Sequence, residues 1–466
     1  MPILFSTTDP RSLPLALGLT VGILLSPAIT QADSGRDDIP AWDGTVLGFE
    51  PQAGDLLSTD TGIRNWLERY GFRYRLAHVS QTAYNAKGGY NTDKKAEYID
   101  QLSLTFTQSL EALTGIPDAA IEGNIVNRNH DNNLTSTRLQ DPRIGFNDLT
   151  QESWGGQSIT RLGWLNFRRS FLDGKLQWRI GLMNKVQDFD QIIPCDFQML
   201  SLCGGKSADS GTWYNWNVHY WGSTLQYRLT PELTLLTGLL EQNPQAPSRS
   251  HAWSVSTDGS RGILLPLEAE WRTRRFGLPG IYSLGLLYTN AKQTDLYLGQ
   301  SGGPGTVDPA GYRQYRNTWF LYTGFNQQLT RHADSANRGL SLAWSLGLAE
   351  QRSNKSRYST ALALRYRGPF DARPNDWLAL GVAKMQGSSN FRRSQNFLNQ
   401  QSGVEDYSDP RYAPLPESSV NAELYYRFKV TPWLELQPLI QYWGRPGGIA
   451  QTSDAWVVGL KTAINF

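Results

Sequence analysis

The last eleven residues, Trp456-Val457-Val458-Gly459-Leu460-Lys461-Thr462-Ala463-Ile464-Asn465-Phe466, decide the fold. Trp456, Val458, Leu460, Thr462, Ile464 and Phe466 share one face of a period-two ribbon; Val457, Gly459, Lys461, Ala463 and Asn465 share the other. The same alternation sets Leu340, Leu342, Trp344, Leu346 and Leu348 against Ser341, Ala343, Ser345, Gly347 and Ala349. It also sets Val420, Ala422, Leu424, Tyr426 and Phe428 against Asn421, Glu423, Tyr425, Arg427 and Lys429. One face is greasy, and the other is small, polar or charged. A soluble sandwich would turn the greasy face inward, whereas a transmembrane barrel turns it toward lipid and lines a lumen with the rest.

Loop lengths separate these two readings. Period-two segments are expected near 71–80, 96–109, 118–129, 158–170, 175–186, 213–229, 232–241, 262–274, 280–291, 314–326, 338–349, 356–367, 376–386, 418–429, 433–443 and 455–466. One set of connections is mostly short, among them Asp173-Gly174, Thr230-Pro231 and Val430-Thr431-Pro432, with Gln327–Asn337 its long member. The other set is mostly long: 130–157, 187–212, 242–261, 292–313 and 387–417, with 81–95 and 444–454 intermediate and 350–355 short. Alternating short and long loops, with an even strand count, are what an up-and-down barrel needs, because its two rims face different compartments. The expected fold is therefore an all-β transmembrane antiparallel barrel of about 16 strands, over 71–466. Its long loops would be extracellular and its short turns periplasmic.

Composition agrees. The 466 residues carry 44 Lys+Arg against 42 Asp+Glu, and the mean hydropathy is −0.44. Only Ser12–Ala32 runs long without a charge, so no helical membrane bundle can be built. The 16 Trp, 21 Tyr and 17 Phe exclude a disordered chain, and a formal charge of +2 gives no support to nucleic-acid binding. Aromatic residues at strand ends (Trp319, Trp377, Trp433, Trp443, Trp456, Tyr366) fit belts at the two membrane interfaces. Leu13–Ile29, followed by Thr30-Gln31-Ala32, reads as a secretory signal over 1–32; its alternative, an uncleaved anchor, is shortened by Pro14 and Pro27. Residues 33–70 then form an N-terminal periplasmic segment, with a short helix where Ile63, Trp66, Leu67 and Tyr70 share a face. Cys195 and Cys203, close together in an exported chain, read as a local disulfide worth roughly 2–3 kcal/mol that stiffens loop 187–212 so that it can fold into the pore. The nearest histidine, His219, fits no zinc spacing, so neither metal nor cofactor is expected.

With the greasy face outward, the inward basic residues are Arg73, Arg75, Arg128, Arg179, Arg228, Arg272, Arg274, Arg357, Arg365, Arg427, Lys429 and Lys461. The inward acids are Glu122, Glu268, Glu270, Glu423 and Glu435, which leaves the expected wall net positive. These charges either pair across strands and keep the lumen wet, or donate to and accept from a passing solute. A channel must also release what it binds, which points to a dissociation constant near ~1 mM and only a few charges at the constriction.

Several motifs give the chain a family resemblance. They are Ile121-Glu122-Gly123-Asn124…Arg128-Asn129, Phe189…Cys195-Asp196-Phe197-Gln198…Cys203-Gly204, Trp213-Tyr214-Asn215-Trp216…Trp221-Gly222, Glu241-Gln242-Asn243-Pro244, Leu278-Pro279-Gly280-Ile281-Tyr282 and Glu423…Tyr426…Thr431-Pro432-Trp433. In order and spacing they resemble the carbohydrate-selective porin (OprB) family from about residue 60 onward. The resemblance implies an outer-membrane channel for facilitated diffusion of monosaccharides such as glucose through an arginine-rich constriction. Its site residues here are the cysteine pair, Glu122 and Arg128. Trp213 and Trp216 either offer flat faces to sugar rings or anchor the rim. Phe466 would present the C-terminal signal read by barrel-assembly machinery, and the outer wall would contact outer-membrane lipid.

Two rival functions remain open on sequence alone. A positive lumen would favour small anions such as sugar acids or cyclic polyol carboxylates. A lipid hydrolase would need a nucleophile and base together on the outer wall, but the five histidines mostly fall in loops or at strand ends and no Gly-x-Ser-x-Gly run occurs. The facing assignment has a direct check in single-channel recordings. Arg128→Ala should change conductance and sugar block, while Leu342→Ala should change stability alone; equal effects from the two would refute the assignment.

Overall fold

Sixteen antiparallel strands close on themselves, so that every strand finds a neighbour for its backbone donors and no edge is left open. The computed structural model describes residues 62–129, 133–144, 148–153, 158–191, 193–204, 217–333, 335 and 337–466. The 1–32 signal and most of the segment 33–70 lie outside the described residues. The first half of the wall comprises β1 (Phe72–Gly89), β2 (Ala96–Ser109), β3 (Ala119–Asn129), β4 (Ile159–Phe171), β5 (Leu176–Met183), β6 (Tyr220–Arg228), β7 (Leu233–Glu241), β8 (Ile263–Arg275) and β9 (Leu278–Thr289). A separate hairpin of β10 (Gln293–Gly299) and β11 (Tyr312–Tyr315) follows, outside the barrel sheet. The wall resumes with β12 (Thr318–Gln328), β13 (Gly339–Ala349), β14 (Ser356–Arg367), β15 (Trp377–Gly387), β16 (Ser418–Thr431), β17 (Leu434–Gly444) and β18 (Ser453–Asn465). Closure comes from pairing β1 with β18, from Ala77 opposite Asn465 to Gly89 opposite Ser453.

The facing follows the inverted sense of a membrane barrel. On β15, Leu380 is 47% exposed on the outside, while its neighbour Ala379 is 1% exposed on the inside. Trp456, Val458 and Leu460 likewise point out, and Val457, Lys461 and Ala463 point in. This excludes the soluble sandwich. The aromatic expectation needs correction at two positions. Trp377 and Trp443 are buried inside the barrel, because they share faces with inward Ala379 and Gln441, whereas Trp319 and Trp456 do face outward.

The sequence reading of β1 also falls short: 71–80 was expected, and the strand runs on to Gly89. In that extension Gln81, Ala83 and Asn85 are buried inside, alternating with Thr82 and Tyr84. With two polar side chains on the inner face, the stretch reads as a loop, yet pairing on both sides holds it as strand. The β6 strand begins at Tyr220 rather than 213, and residues 205–216 are outside the described set. Among the long connections, 387–417 contains a helix, Ser389–Ser402, capped by the Ser388 hydroxyl, which accepts from the Phe391 amide. A short helix, Ile63–Arg69, precedes β1; Arg64 donates from it to the Phe466 carbonyl at 2.9 Å.

What fills the lumen is loop. The chain after β3 and the chain after β5 both enter the barrel and hydrogen-bond to each other, Leu200 N to Leu149 O at 2.9 Å and Glu152 N to Gln198 O at 2.8 Å. Phe197, Met199 and Leu202 pack in one cluster with Ala361, Ala363, Ala379, Ala383 and Leu439 of the inner wall. The alanines explain themselves here: a small inner face on β14 and β15 makes room for the loop. Gly381 is the tightest point, since a Cβ there would lie 2.8 Å from Leu202 Cδ1 and 2.9 Å from Phe197 Cε1. Gly381→Leu should therefore cost about 1–3 kcal/mol by overpacking or lever the loop off the wall. Thermal melting together with conductance checks this, and a variant with unchanged melting and unchanged conductance would contradict the packing described.

Candidate functional site

The inward charges are organised around the inserted loops. Glu122 on β3 accepts from Arg168 Nε at 2.6 Å and from Arg179 Nη2 at 3.0 Å. Arg179 on β5 also pairs with Asp188, from the loop that follows the same strand. Further along that loop Lys185 pairs with Asp190 at 3.1 Å, and the Asp190 amide donates to Glu268 on β8 at 2.8 Å.

The disulfide-closed segment makes the second cluster. Cys195 and Cys203 are joined, as expected, and Asp196 sits within that small ring. Arg365 on β14 donates to the Asp196 carboxylate at 3.2 Å, and the Tyr425 hydroxyl does so at 2.8 Å. Arg427 on β16 lies 4.0 Å from the same carboxylate and donates to Gln437 on β17 at 2.8 Å. Glu423, two turns of pleat away, accepts from the Gln198 and Met199 amides at 2.9 and 2.8 Å and from Gln441 at 3.0 Å. Lys461 donates to the Phe197 carbonyl at 3.2 Å and pairs with Glu152 at 3.4 Å. Glu152 also lies near both cysteine sulfurs, but those sulfurs are bonded to each other, so this group cannot act as a three-ligand metal site.

The remaining sequence-expected residues are scattered. Arg128 is buried on β3 and donates to Gln101 at 2.7 Å, and Arg75 is buried on β1 and donates to Asn465 at 3.1 Å. Arg73 is exposed at the short-turn end of β1, and Arg228 is half-buried at the equivalent end of β6. Arg357 does not line the lumen as expected; a register shift between Ser356 and Tyr358 leaves it exposed. Trp213 and Trp216 fall outside the described residues.

Sequence reasoning missed the acids that matter most. Asp188, Asp190 and Asp196 lie in a loop, where alternation gives no facing, and Glu152 lies in the other inserted loop. The available signal was the expected inward fold of 187–212 combined with four aspartates inside it, these three and Asp209. Arg168 was missed as well, although it shares the inner face with Asn166 on β4. Loop carboxylates thus meet part of the positive charge of the strand residues, Asp188 at Arg179, Asp196 at Arg365 and Arg427, and Glu152 at Lys461.

With this geometry in place, comparison with known proteins is decisive. Residues 93–466 match the carbohydrate-selective porin, OprB family. The chain belongs to that family. It is similar to Porin B of Pseudomonas aeruginosa, 34% identical over 424 residues that cover 90% of this chain and 92% of the relative. It is also 34% identical to the "Putative porin QuiX" of Acinetobacter baylyi over 423 residues, 88% of this chain and 93% of that one. Among solved structures, the high-pH structure of Pseudomonas putida OprB superposes with a TM-score of 0.86 at 34% identity, covering 90% of this chain and 100% of that chain. As an OprB-family porin the protein resides in the outer membrane, and its barrel is built as a channel.

Asp196 gives this OprB-family channel a pH signature. Burial alone would raise its carboxyl, but Arg365 and Arg427 outweigh burial and hold it below the usual carboxylate range. A carboxyl depressed on folding stabilises the docked loop fully above the unfolded value, ~3.9, and that contribution is lost as pH falls through the lower folded value. The Asp196 contribution to docking should therefore stay constant from neutral pH down to about pH 4 and be lost, with a step in conductance, only in stronger acid. Asp196→Asn should shift the neutral-pH conductance and remove the acid step, and an acid step that persists in this variant would disprove the assignment.

Proposed function

We propose that the channel serves facilitated diffusion of monosaccharides such as glucose, through a constriction bounded by the inserted loops and the buried arginines that hold them. What supports this reading most is the interleaving of guanidinium and carboxylate on the lumen wall: Arg168 and Arg179 with Glu122, and Arg365 and Arg427 with Asp196. Such a wall sets alternating donors and acceptors at fixed positions. Vicinal hydroxyls of a sugar can exchange hydrogen bonds with both kinds of group, singly and reversibly, as passage requires. The high entropic cost of arranging these groups is met in folding, by the loops, before a solute arrives.

A second reading, a channel for small anions such as sugar acids, draws on the short-turn mouth. There Arg272, paired with Glu270, and Arg274 extend the inner face of β8 beyond Glu268, and Arg73 and Arg228 stand at the same-rim ends of β1 and β6. A cationic mouth would concentrate anions. A lipid-hydrolysing role has weaker footing still, since the channel family and barrel architecture argue for transport. We also infer that Met1–Ala32 is removed on export and that Phe466 presents the assembly signal.

Liposome swelling with glucose and gluconate, combined with reversal potentials in a KCl gradient, separates the two channel readings. The sugar reading expects faster entry of glucose than of gluconate and weak ion selectivity. Faster entry of gluconate with strong anion selectivity would overturn it.

A further inference from the structure

On the outer wall, charge begins where the apolar band ends, and on β14 and β15 it begins with two cations. From the short-turn end upward, the outward residues of β15 are Leu378, Leu380, Val382, Lys384 and Gln386. Those of β14 are Tyr366, Leu364, Leu362, Thr360 and Tyr358. The two rows meet in register, with Leu362 opposite Val382, Thr360 opposite Lys384 and Tyr358 opposite Gln386. Arg357, one residue beyond Tyr358 toward the long-loop rim, is exposed where that register shifts.

Neither Lys384 nor Arg357 has a hydrogen-bond or ion-pair partner among the described residues. Other cations at this rim do: Arg392 and Arg445 share Glu417 at 2.7 and 3.5 Å, and Arg352 pairs with Glu350 at 2.6 Å. A lysine on a lipid-facing strand is tolerated where its stem lies along apolar surface and its ammonium reaches the headgroups, where an anion can meet it. Lys384 stands at that height. The three outward residues below it on β15 are apolar, and the one above it is Gln386. A three-residue offset on neighbouring strands puts the Arg357 and Lys384 backbones about 10 Å apart, so both side chains can reach one headgroup. Between them, the Tyr358 hydroxyl can donate. Gln386 donates to the Glu417 carbonyl at 2.9 Å and keeps its own amide oxygen to accept.

We propose that Arg357, Tyr358, Lys384 and Gln386 form an outward site for a phosphorylated glycolipid in the outer leaflet of the outer membrane. Leu362, Leu380 and Val382, each more than two-fifths exposed, receive its acyl chains. The two cations hold its phosphates, and Tyr358 and Gln386 exchange hydrogen bonds with its sugar hydroxyls. The order along the strands, apolar residues below and cations at the long-loop end, is the order from acyl chain to headgroup in that leaflet. Charge selects the lipid, because two cations without partners attract a phosphate more strongly than a neutral sugar. The site stands whichever solute crosses the channel.

The full-length channel, mixed with equal amounts of lipid A bearing both phosphates and of dephosphorylated lipid A, provides the test. Native mass spectrometry should show the phosphorylated form retained in preference. R357A/K384A should lose roughly thirtyfold of that preference, a factor of about five for each cation at the headgroups. K175A/R331A, which removes two exposed cations from the short-turn rim, should keep it. No preference in the wild type, or equal preference in R357A/K384A, would refute the proposal. Equal loss in K175A/R331A would also refute it, by tracing retention to net charge rather than to this face. Inorganic phosphate should not displace the lipid; displacement would reduce the site to one for free anions and overturn the proposal. R357A/K384A should conduct as the wild type does, which shows that it is folded; altered conductance would place these side chains in the lumen and contradict the site.

Discussion

A strand that crosses lipid has one face that must be greasy and a backbone that only neighbouring strands can satisfy. The rest of this structure depends on that constraint. Once Leu and Val are committed to the outside, the inside takes in strand residues such as Arg75, Arg128, Asn421, Glu423 and Gln441. Sixteen strands enclose more space than their own side chains fill. The sequence resolves both problems with the same parts: the chain after β3 and the chain after β5 fold inward, fill the space and bring carboxylates to the strand arginines.

The energetics of those pairs depend on completeness. Placing a lone guanidinium or carboxylate in a space shielded from water costs several kcal/mol, and a pair recovers that only with good geometry and further hydrogen bonds. Glu423 meets this requirement by accepting two loop amides and Gln441; Asp196 meets it on Oδ2, which accepts from Arg365 and Tyr425, while its Oδ1 is buried without a hydrogen-bond partner. The loop is thus fastened by polar contacts on one side and by Phe197, Met199 and Leu202 against an alanine-rich wall on the other. The disulfide shortens the free segment that must be ordered, which lowers the entropy lost in docking. Passage for a solute is what remains of the lumen after the loops have taken their place.

Much of the fold was legible because period-two alternation is a strong signal when one face meets lipid. Strand boundaries at 96–109 and 356–367 follow from it directly. It failed on β1 beyond Ser80, where both faces carry small or polar residues and only pairing partners maintain the strand. The site was less legible for a physical reason. Alternation assigns facing to strand residues, so Glu122, Arg179, Arg365, Arg427 and Glu423 could be placed inside, but it says nothing about a loop. Asp188, Asp196 and Glu152 therefore escaped, and with them the partners that Arg179, Arg365 and Lys461 find in the inserted loops.

The disulfide-closed loop is docked inside the barrel as part of the wall, and hydrogen exchange of its amides in the native channel probes that docking residue by residue. The Gln198 and Met199 amides donate to buried Glu423, the Leu200 amide to Leu149, and the Ser201 amide to Asp148. These four amides should be protected to a degree comparable to those in β15 and β16. Exchange at the rate of an open surface loop, with the strands still protected, would contradict the docking.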